Sequence, residues 1–307
     1  MATPRFLVAE SETPEQRARR RASVGRSSGE TYLDTLQALA PDAACDLVRP
    51  AEEGVEAPDR AALAAYDAVF LTGSPLHVYK DTPGVRRQLA FKGAVFASGT
   101  PSFGSCAGLQ VAAAAAGGAV RENRRGHEAA FARRIVPTAA GRDHPLLAGR
   151  PAAWDAMAIH TDEVERLPDG AVLLAGNGVS AVQAAEIRHA GGVFWGVQYH
   201  PELTLGEVAA ALRRQAGDLV EQGLARDGPA VGEHAGRIEA LHREPSRRDL
   251  AWQLGLNQQV TDPRLRQTEL RNFVEHLVRP TMEARGRTRG DAIERVLGHF
   301  RPCWRSQ

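Results

Sequence analysis

The stretch at residues 101–110, PSFGSCAGLQ, constrains this chain more than any other part of its sequence. A short strand-like run ends in Phe103, a turn of small residues follows, and Cys106 stands just before an apolar segment at residues 109–116. Small neighbours allow a tight strand-to-helix turn that projects one side chain outward. The peptide dipoles at a helix N-terminus favour a negative charge, and therefore favour the nucleophilic thiolate. The pattern predicts a reactive cysteine on a turn between a strand and a helix.

The segments ahead of this turn alternate between strand-like and helix-like patterns. Residues 5–9, 43–48 and 66–71 are short apolar runs of the kind that a parallel sheet buries on both faces. Residues 31–40 have apolar positions at helical spacing, and residues 83–91 begin with a proline, which is favoured in the first turn of a helix. The alternation predicts an α/β fold with a central, mostly parallel sheet flanked by helices.

Three further segments of this half have weaker patterns. Residues 10–29 are polar and dense in arginine, and we expect a loop there. Its basic cluster is expected to be a solvated loop or helix face, and binding of an anionic acceptor or a protein partner is the alternative. A short apolar run at residues 94–97 precedes the cysteine turn. Residues 72–75, TGSP, follow a predicted strand, where such sheets place backbone that contacts a ligand. A plain turn would use the same residue types.

Beyond the cysteine turn, the sequence predicts more strands and then helices. Strand-like runs are expected at residues 118–121, 131–137, 158–164, 171–175, 182–188 and 193–199. A long amphipathic helix is predicted over residues 203–224, and it ends before the helix-breaking segment Asp227-Gly228-Pro229.

The composition and the spacing of apolar residues change after this segment, and we expect a domain boundary there. We place one domain at residues 1–227 and a helical extension at residues 228–307, with a loosely held basic tail from residue 284. Apolar positions such as Trp252 and Phe273 suit docking of the extension on a partner or simple packing on the main domain.

A second informative stretch ends the last predicted strand. The run VFWGVQYHPE places His200 at a strand terminus, with a proline that fixes the turn and Glu202 two residues further on. A carboxylate bonded to one ring nitrogen of a histidine fixes its tautomer and leaves the other nitrogen free to serve a thiol. His200 alone could equally be structural. Together with a cysteine on a sharp turn, it predicts a base and its orienting partner.

Composition excludes several other classes of function. A net charge of +1 lacks the excess of Lys and Arg that nucleic-acid binding needs. Cys45, Cys106 and Cys303 lie far apart without a CxxC pair, so we expect neither a disulfide framework nor a zinc site. We also expect no cofactor. No run approaches the ~20 apolar residues that cross a bilayer, and the N-terminus has no apolar signal core. We expect a reduced, cytoplasmic protein with no membrane partner.

Four motifs of the sequence resemble those of a known family. The motif GSCAGLQ around Cys106, the motif QYHPE around His200, TGSP at residues 72–75 and HTD at residues 160–162 resemble class I, or triad-type, glutamine amidotransferases. The likeness spans residues 5–225 and is closest to stand-alone members similar to the glutaminase domain of GMP synthase.

The resemblance implies a flavodoxin-like α/β catalytic domain that releases ammonia from the side-chain amide of glutamine. The implied site residues are Cys106 as nucleophile, His200 as general acid and base, Glu202 as the group that orients His200, the backbone N–H groups of Gly73 and Ala107 as the oxyanion hole, and Gln110, Thr161 and Asp162 as substrate contacts. Hydrolysis would run through a γ-glutamyl thioester on Cys106, with His200 protonating the leaving group and then activating water.

Two departures from the family pattern stand out, and both leave the catalytic groups in place. Ser105 replaces the bulkier apolar residue that usually precedes the nucleophile, and Thr72 replaces a glycine. No ATP-binding motif follows residue 225. The acceptor of ammonia is therefore expected to be a separate synthase, or to be absent.

Three functions remain open on the sequence. The leading interpretation is a glutaminase or the glutamine amidotransferase component of a larger enzyme, supplying ammonia to a separate synthase subunit. The alternative is a hydrolase of γ-glutamyl amides or peptides, which uses the same triad, and the third is a non-catalytic binding module. Glutamine or a γ-glutamyl small molecule is the expected ligand, and assembly into a homo-oligomer stays open.

Overall fold

A nine-stranded sheet organises the part of the chain that the structure, a computed structural model, describes, which is residues 3–286. A separate two-stranded ribbon lies beside it. The strands are β1 Arg5–Ala9, β2 Ala44–Val48, β3 Ala68–Leu71, β4 Ser102–Ser105, β5 Ala119–Glu122, β6 Glu128–Pro137, β7 Trp154–His160, β8 Asp162–Arg166, β9 Val172–Gly176, β10 Ala184–His189 and β11 Gly192–Val197.

The order of strands in the sheet is β2-β1-β3-β4-β11-β10-β9-β6-β7, and β5 pairs with β8 in the ribbon. The five strands from β2 to β11 run parallel, whereas β10, β9, β6 and β7 continue the sheet with antiparallel pairs. The predicted α/β fold with a largely parallel central sheet is confirmed. The carboxyl ends of β3, β4 and β11 meet at one edge, which brings the TGSP, cysteine and histidine segments together.

Helices cover both faces of this sheet. They are α1 Pro14–Val24, α2 Ser28–Leu39, α3 Arg60–Ala64, α4 Pro83–Ser98, α5 Ala107–Ala115, α6 Ala139–Arg142, α7 Leu205–Arg214, α8 Ala216–Glu221, α9 Gly228–Arg243, α10 Arg248–Leu254, α11 Gln258–Thr261, α12 Pro263–Arg266, α13 Thr268–Phe273 and α14 Arg279–Ala284, with a 3₁₀ turn at Pro145–Leu147 and a π-helical turn at Val274–Val278. Within residues 3–286, no helix has the length and apolar character needed to cross a membrane.

The parallel strands bury side chains on both faces, as their continuous apolar sequences predict. Phe6 of β1 packs with Phe70 and Phe103 under α2, while Leu7 of the same strand packs on the opposite face with the helices α4 and α5. A third apolar cluster joins α7 to α9 and α10 and lies against β6 and β7. The edge of the sheet that carries the cysteine and histidine turns therefore lies between the two apolar clusters on its opposite faces.

The prediction of a loop over residues 10–29 is wrong, because α1 occupies most of it. Thr13 and Gln16 form a capping box at its start, and Pro14 occupies its first turn. The helix buries only Arg17, which pairs with Glu10 and Glu52. Ion pairs, rather than an apolar face, hold this helix on the domain.

Two other boundaries differ from the predictions. The apolar run at residues 94–97 belongs to α4, which continues through Gly93 to Ser98 because Val95 and Phe96 pack in the core. The helix predicted over residues 203–224 is broken at Gln215 into α7 and α8.

The helices beyond residue 228 pack on the main domain. Phe273 lies 5.4 Å from Phe70 and 5.5 Å from Phe103 between ring centroids, whereas Trp252 is 83% exposed. Glu269 accepts hydrogen bonds from Arg150, at 2.6 Å, and from the Tyr199 hydroxyl, at 2.7 Å. The last contact links this region to the residue before His200. The predicted basic tail, apart from its first three residues, and Cys303 lie outside the described residues.

Lys92 of α4 is fully buried, which is rare for a lysine. Its Nζ donates to Ser102 Oγ at 2.6 Å and lies 3.7 Å from the ring centroid of Phe96. No carboxylate within the described residues pairs with it, and burial lowers the pKa of Lys92 well below the ordinary lysine value. Folding therefore disfavours the charged amine, which the unfolded chain carries at neutral pH.

We expect Lys92→Met to raise the free energy of unfolding at pH 7. The depressed folded-state pKa means that wild-type stability grows as pH rises, by up to about 1.4 kcal/mol per pH unit, until the unfolded lysine also loses its proton. The advantage of the variant should accordingly shrink between pH 7 and pH 10 in denaturant titrations. Lys80→Met, at the other lysine of the chain, is the control. A variant advantage that does not change with pH would contradict this account.

Candidate active site

Cys106 occupies a strained turn between β4 and α5. Its backbone has φ 52° and ψ −112°, a conformation that non-glycine residues rarely adopt, and its N–H donates to the carbonyl of Val197 at 2.8 Å. A Cβ on Gly104 would lie 2.8 Å from the backbone of Gly108, and one on Gly108 would lie 2.5 Å from the carbonyl oxygen of Leu71. The two glycines are needed because α5 approaches β3 and β4 so closely.

His200 and Glu202 lie in the turn after β11, directly beside Cys106. The backbone N–H of His200 donates to the carbonyl of Met157 at 2.8 Å, and its ring Nδ1 lies 2.7 Å from Glu202 Oε1. A Cβ built on Gly73 would meet His200 Cε1 at 2.7 Å and Cys106 Cβ at 3.5 Å. The structure therefore brings together the cysteine, the histidine, the carboxylate and the TGSP loop.

The electrostatics of His200 favour its charged form. Burial would lower its pKa, but the negative charges of Glu202 and of the Cys106 thiolate, with hydrogen bonds to both, raise the pKa of His200 to about 10. At neutral pH the His200 ring is accordingly an imidazolium beside the sulfur of Cys106. The ring can therefore donate a proton to a group bound beside the cysteine.

The backbone around the cysteine offers donors for an anion. Ala107 provides the first N–H of α5, which has no acceptor within the helix. Gly73 follows β3 and faces Cys106 and His200. Both predicted oxyanion donors thus lie beside the thiol.

Ser105 and Tyr32 belong to the site although neither is among the residues predicted for it. Ser105 Oγ donates to Glu202 Oε1 at 3.0 Å, and the Tyr32 hydroxyl lies 2.6 Å from Ser105 Oγ. All three side chains are buried. The oxygen of Glu202 that holds His200 is therefore itself held by a chain of hydroxyls that begins on α2.

The predicted substrate contacts line a second part of the site. Gln110 Nε2 donates to the Asp162 carbonyl at 3.1 Å and to Gln198 Oε1 at 3.3 Å. The Asp162 carboxylate lies 2.8 Å from His77 Nδ1, and Thr161 Oγ1 donates to it at 3.3 Å. Gln110 is therefore hydrogen-bonded to the segment of Thr161 and Asp162, the other two residues expected to contact the substrate.

Two cavities meet at Cys106. One, of about 250 Å³, is lined by Gln110, Thr161 and Asp162, and we call it the Gln110 cavity. The other, of about 430 Å³, contains His200 and Glu202 and extends between α1 and α7, and we call it the His200 cavity. A substrate bound across the thiol would place one end in each.

Comparison with known proteins identifies the family of this architecture. The family model for class-I glutamine amidotransferases matches residues 34–216. A γ-glutamyl-L-1-hydroxyisopropylamide hydrolase from a Pseudomonas species is 36% identical over 285 residues, which cover 90% of this chain and 94% of that protein. The glutamine-hydrolysing GMP synthase component of Methanoculleus marisnigri, itself one subunit of that enzyme, is 36% identical over 108 residues, which cover 34% of this chain and about half, 54%, of the relative.

A solved glutamine amidotransferase from Thermotoga maritima has the same fold. Its TM-score is 0.61 at 17% identity, over 91% of this chain and 99% of that one. Fold and relatives together define an enzyme of the amide-hydrolase and amidotransferase class. The chain belongs to the class-I glutamine amidotransferase family.

Removing the hydroxyl that holds Glu202 should slow turnover without weakening substrate binding. We expect Ser105→Ala to lower kcat by about 10-fold, because a hydrogen bond to a charged group is lost and Glu202 can rotate away from His200. Ser102→Ala is a matched control, since it is an equally buried serine of the same strand. A fall in kcat no larger than that of the control would contradict a positioning role for Ser105.

The charge of Glu202 should set the alkaline limb of the pH profile. The raised pKa of His200 keeps its proton available below about pH 10, so kcat/KM should fall as pH rises through that value. In Glu202→Gln, the largest of the contributions that raise the pKa of His200 is removed, and the fall should begin at lower pH. Glu186→Gln, in the buried carboxylate that pairs with His144, should leave the limb unmoved. An unchanged limb in Glu202→Gln would contradict the assignment.

Proposed function

We propose that this protein hydrolyses γ-glutamyl amides to glutamate and a free amine. The observation that carries the proposal is the 36% identity, over 285 residues, with a relative that is a hydrolase of a γ-glutamyl amide. That similarity covers 90% of the chain, whereas the match to the GMP synthase component covers 34%.

The proposed reaction uses the three residues as a triad. The Cys106 thiolate attacks the γ-carbonyl carbon, the C–N bond breaks, and His200 gives its proton to the departing amine. The resulting γ-glutamyl thioester is then attacked by water, whose proton passes to His200. Glutamate leaves, and Cys106 is again a thiolate beside an imidazolium.

The backbone donors would stabilise the two tetrahedral intermediates. In this proposal, the N–H groups of Gly73 and Ala107 bind the oxyanion, an interaction whose loss costs about 10²–10³ in rate in other amide-cleaving enzymes. Glu202 keeps His200 in the tautomer and orientation that both proton transfers need. Gln110, Thr161 and Asp162 would hold the glutamyl portion on the opposite side of the thiol.

The His200 cavity supports a leaving group larger than ammonia. A small molecule such as water, and by analogy ammonia, takes about 30 Å³ of liquid volume, whereas this cavity measures about 430 Å³. It is lined by the carboxylates Glu12 and Glu207, the guanidinium Arg20 and the hydroxyls of Ser28 and Thr31. A polar amine substituent would find both donors and acceptors there.

A second candidate function is release of ammonia from glutamine for a separate synthase. The similarity to the GMP synthase component favours it. The chemistry at Cys106 is identical in the two cases, and they differ only in what occupies the His200 cavity.

A substrate panel separates the two candidates. We expect the purified protein to release glutamate from γ-glutamyl amides of small hydroxylated or alkyl amines, with a kcat/KM at least about 10-fold above that for glutamine, because the amine substituent binds in the His200 cavity. A preference for glutamine over every conjugate would instead support the ammonia-supplying role.

The same panel tests the nucleophile. Cys106→Ala should abolish hydrolysis of every substrate, while Cys45→Ala, at a partly buried cysteine of β2 away from both cavities, should retain full activity. Retained turnover in Cys106→Ala would refute the proposed mechanism.

A further inference from the structure

Recognition of a γ-glutamyl group requires partners for two charges. The end of the group remote from the reacting amide carries an ammonium and a carboxylate, and moving an unpaired charge out of water is costly. If the γ-glutamyl portion lies in the Gln110 cavity, that cavity must offer a partner for each charge.

The Gln110 cavity offers carboxylates for the ammonium but few basic side chains for the carboxylate. Asp162 and Asp218 contribute carboxylates, which suit the ammonium. No lysine or arginine of residues 3–286 is among the residues lining the cavity. The side chains able to supply a cationic donor to the carboxylate are three histidines, His77, His127 and His160.

Two of these histidines are already engaged. His160 Nδ1 lies 3.0 Å from the Asp162 carbonyl and its Nε2 lies 2.9 Å from Glu128 Oε2, so both ring nitrogens have partners. His77 Nδ1 is bonded to the Asp162 carboxylate, and its side chain is 38% exposed.

His127 differs from both. It is 8% exposed, and neither Nδ1 nor Nε2 has a hydrogen-bond partner within the described residues. Burying an imidazole with both nitrogens unpaired costs the folded protein free energy. Because His127 lines the Gln110 cavity together with Cys106, its unpartnered ring is available to a polar atom of a ligand.

The position of His127 suits this role. Glu128 is paired in register with His160 across β6 and β7, so His127, one residue earlier, lies beside Thr161 at the end of the Gln110 cavity. Burial and the nearby His160 lower the pKa of His127, while the negative charge of Asp218 acts to raise it. Burial therefore favours the neutral ring, in which one nitrogen carries a proton to donate.

We propose that His127 binds the α-carboxylate of the γ-glutamyl group and thereby selects substrates that carry it. The inference rests on the proposed function, since it names the substrate group that this site recognises. A bound carboxylate supplies the acceptor that the His127 N–H lacks. It also stabilises the protonated ring, so that binding draws a proton into the site.

A second location for the ligand is tested by the same experiment. His127 also lines a groove of about 1110 Å³ between β6 and the helices α7, α8 and α9, where Arg134 and Arg237 lie. This groove does not include Cys106 among its lining residues. A carboxylate bound in the groove would depend on these arginines as well as on His127.

The decisive comparison uses two amides that differ only in the α-carboxylate. One is a γ-glutamyl amide, and the other is the corresponding amide of 4-aminobutyric acid. We expect His127→Phe to raise KM for the γ-glutamyl amide by about 10- to 100-fold, with little change in kcat, and to leave KM for the second amide nearly unchanged. His127→Gln, which keeps one N–H donor, should restore part of the affinity. Equal effects on the two amides would overturn the proposal.

Binding of the product tests the inference independently of turnover. Wild-type protein should bind glutamate more tightly than 4-aminobutyrate in calorimetry, and His127→Phe should lose that difference. Retention of the difference would overturn the inference even if hydrolysis proceeds as proposed. Conversely, a protein that hydrolyses none of the amides but loses the difference on substitution would refute the proposed function and support the α-carboxylate site.

Two control variants complete the design. His189→Gln changes a histidine that packs against Phe96 at the end of β10, and it should affect neither amide. Arg237→Ala should also leave both KM values unchanged. If Arg237→Ala raised KM for the γ-glutamyl amide alone, the carboxylate would lie in the groove and the assignment to the Gln110 cavity would be wrong.

Discussion

The close approach of α5 to β3 and β4 is the constraint on which the site depends. Gly108 lies against the carbonyl of Leu71, and Gly104 lies against Gly108, so the chain turns from strand to helix through a residue with positive φ at Cys106. The strain of that turn is offset by the buried cores on both faces of the sheet. The same geometry points the thiol at the carboxyl edge of the parallel strands, where the Gly73 loop and the His200 turn also end.

The groups around the thiol are held by contacts from distant parts of the chain. Tyr32 of α2 orients Ser105, which in turn orients Glu202. Glu269, from the helices beyond residue 228, bonds the hydroxyl of Tyr199 next to His200 and is itself paired with Arg150. These helices therefore support the turn that holds His200 as well as the core. A site assembled in this way is preorganised, because His200 and Glu202 are each held in place by a neighbouring group.

Much of the fold was readable from local pattern, because buried parallel strands are short apolar runs and the cysteine turn needs small residues. The helix α1 was missed because its single buried residue is Arg17 and its stabilising ion pairs come from distant positions. Its capping box at Thr13 was a signal that could have identified it. No local pattern could have joined Tyr32 to Ser105, since 73 positions separate them. Likewise, the missing partners of His127 are visible only once the surrounding elements are placed.

The central claim is that hydrolysis passes through a γ-glutamyl thioester on Cys106. The most direct measurement is intact-protein mass spectrometry of enzyme that is mixed with a γ-glutamyl amide and quenched with acid during turnover, followed by peptide mapping. The account predicts an added mass of one γ-glutamyl group on the peptide that contains Cys106, and its disappearance once the substrate is exhausted. An adduct at another residue, or rapid turnover without any adduct even under single-turnover conditions, would contradict it.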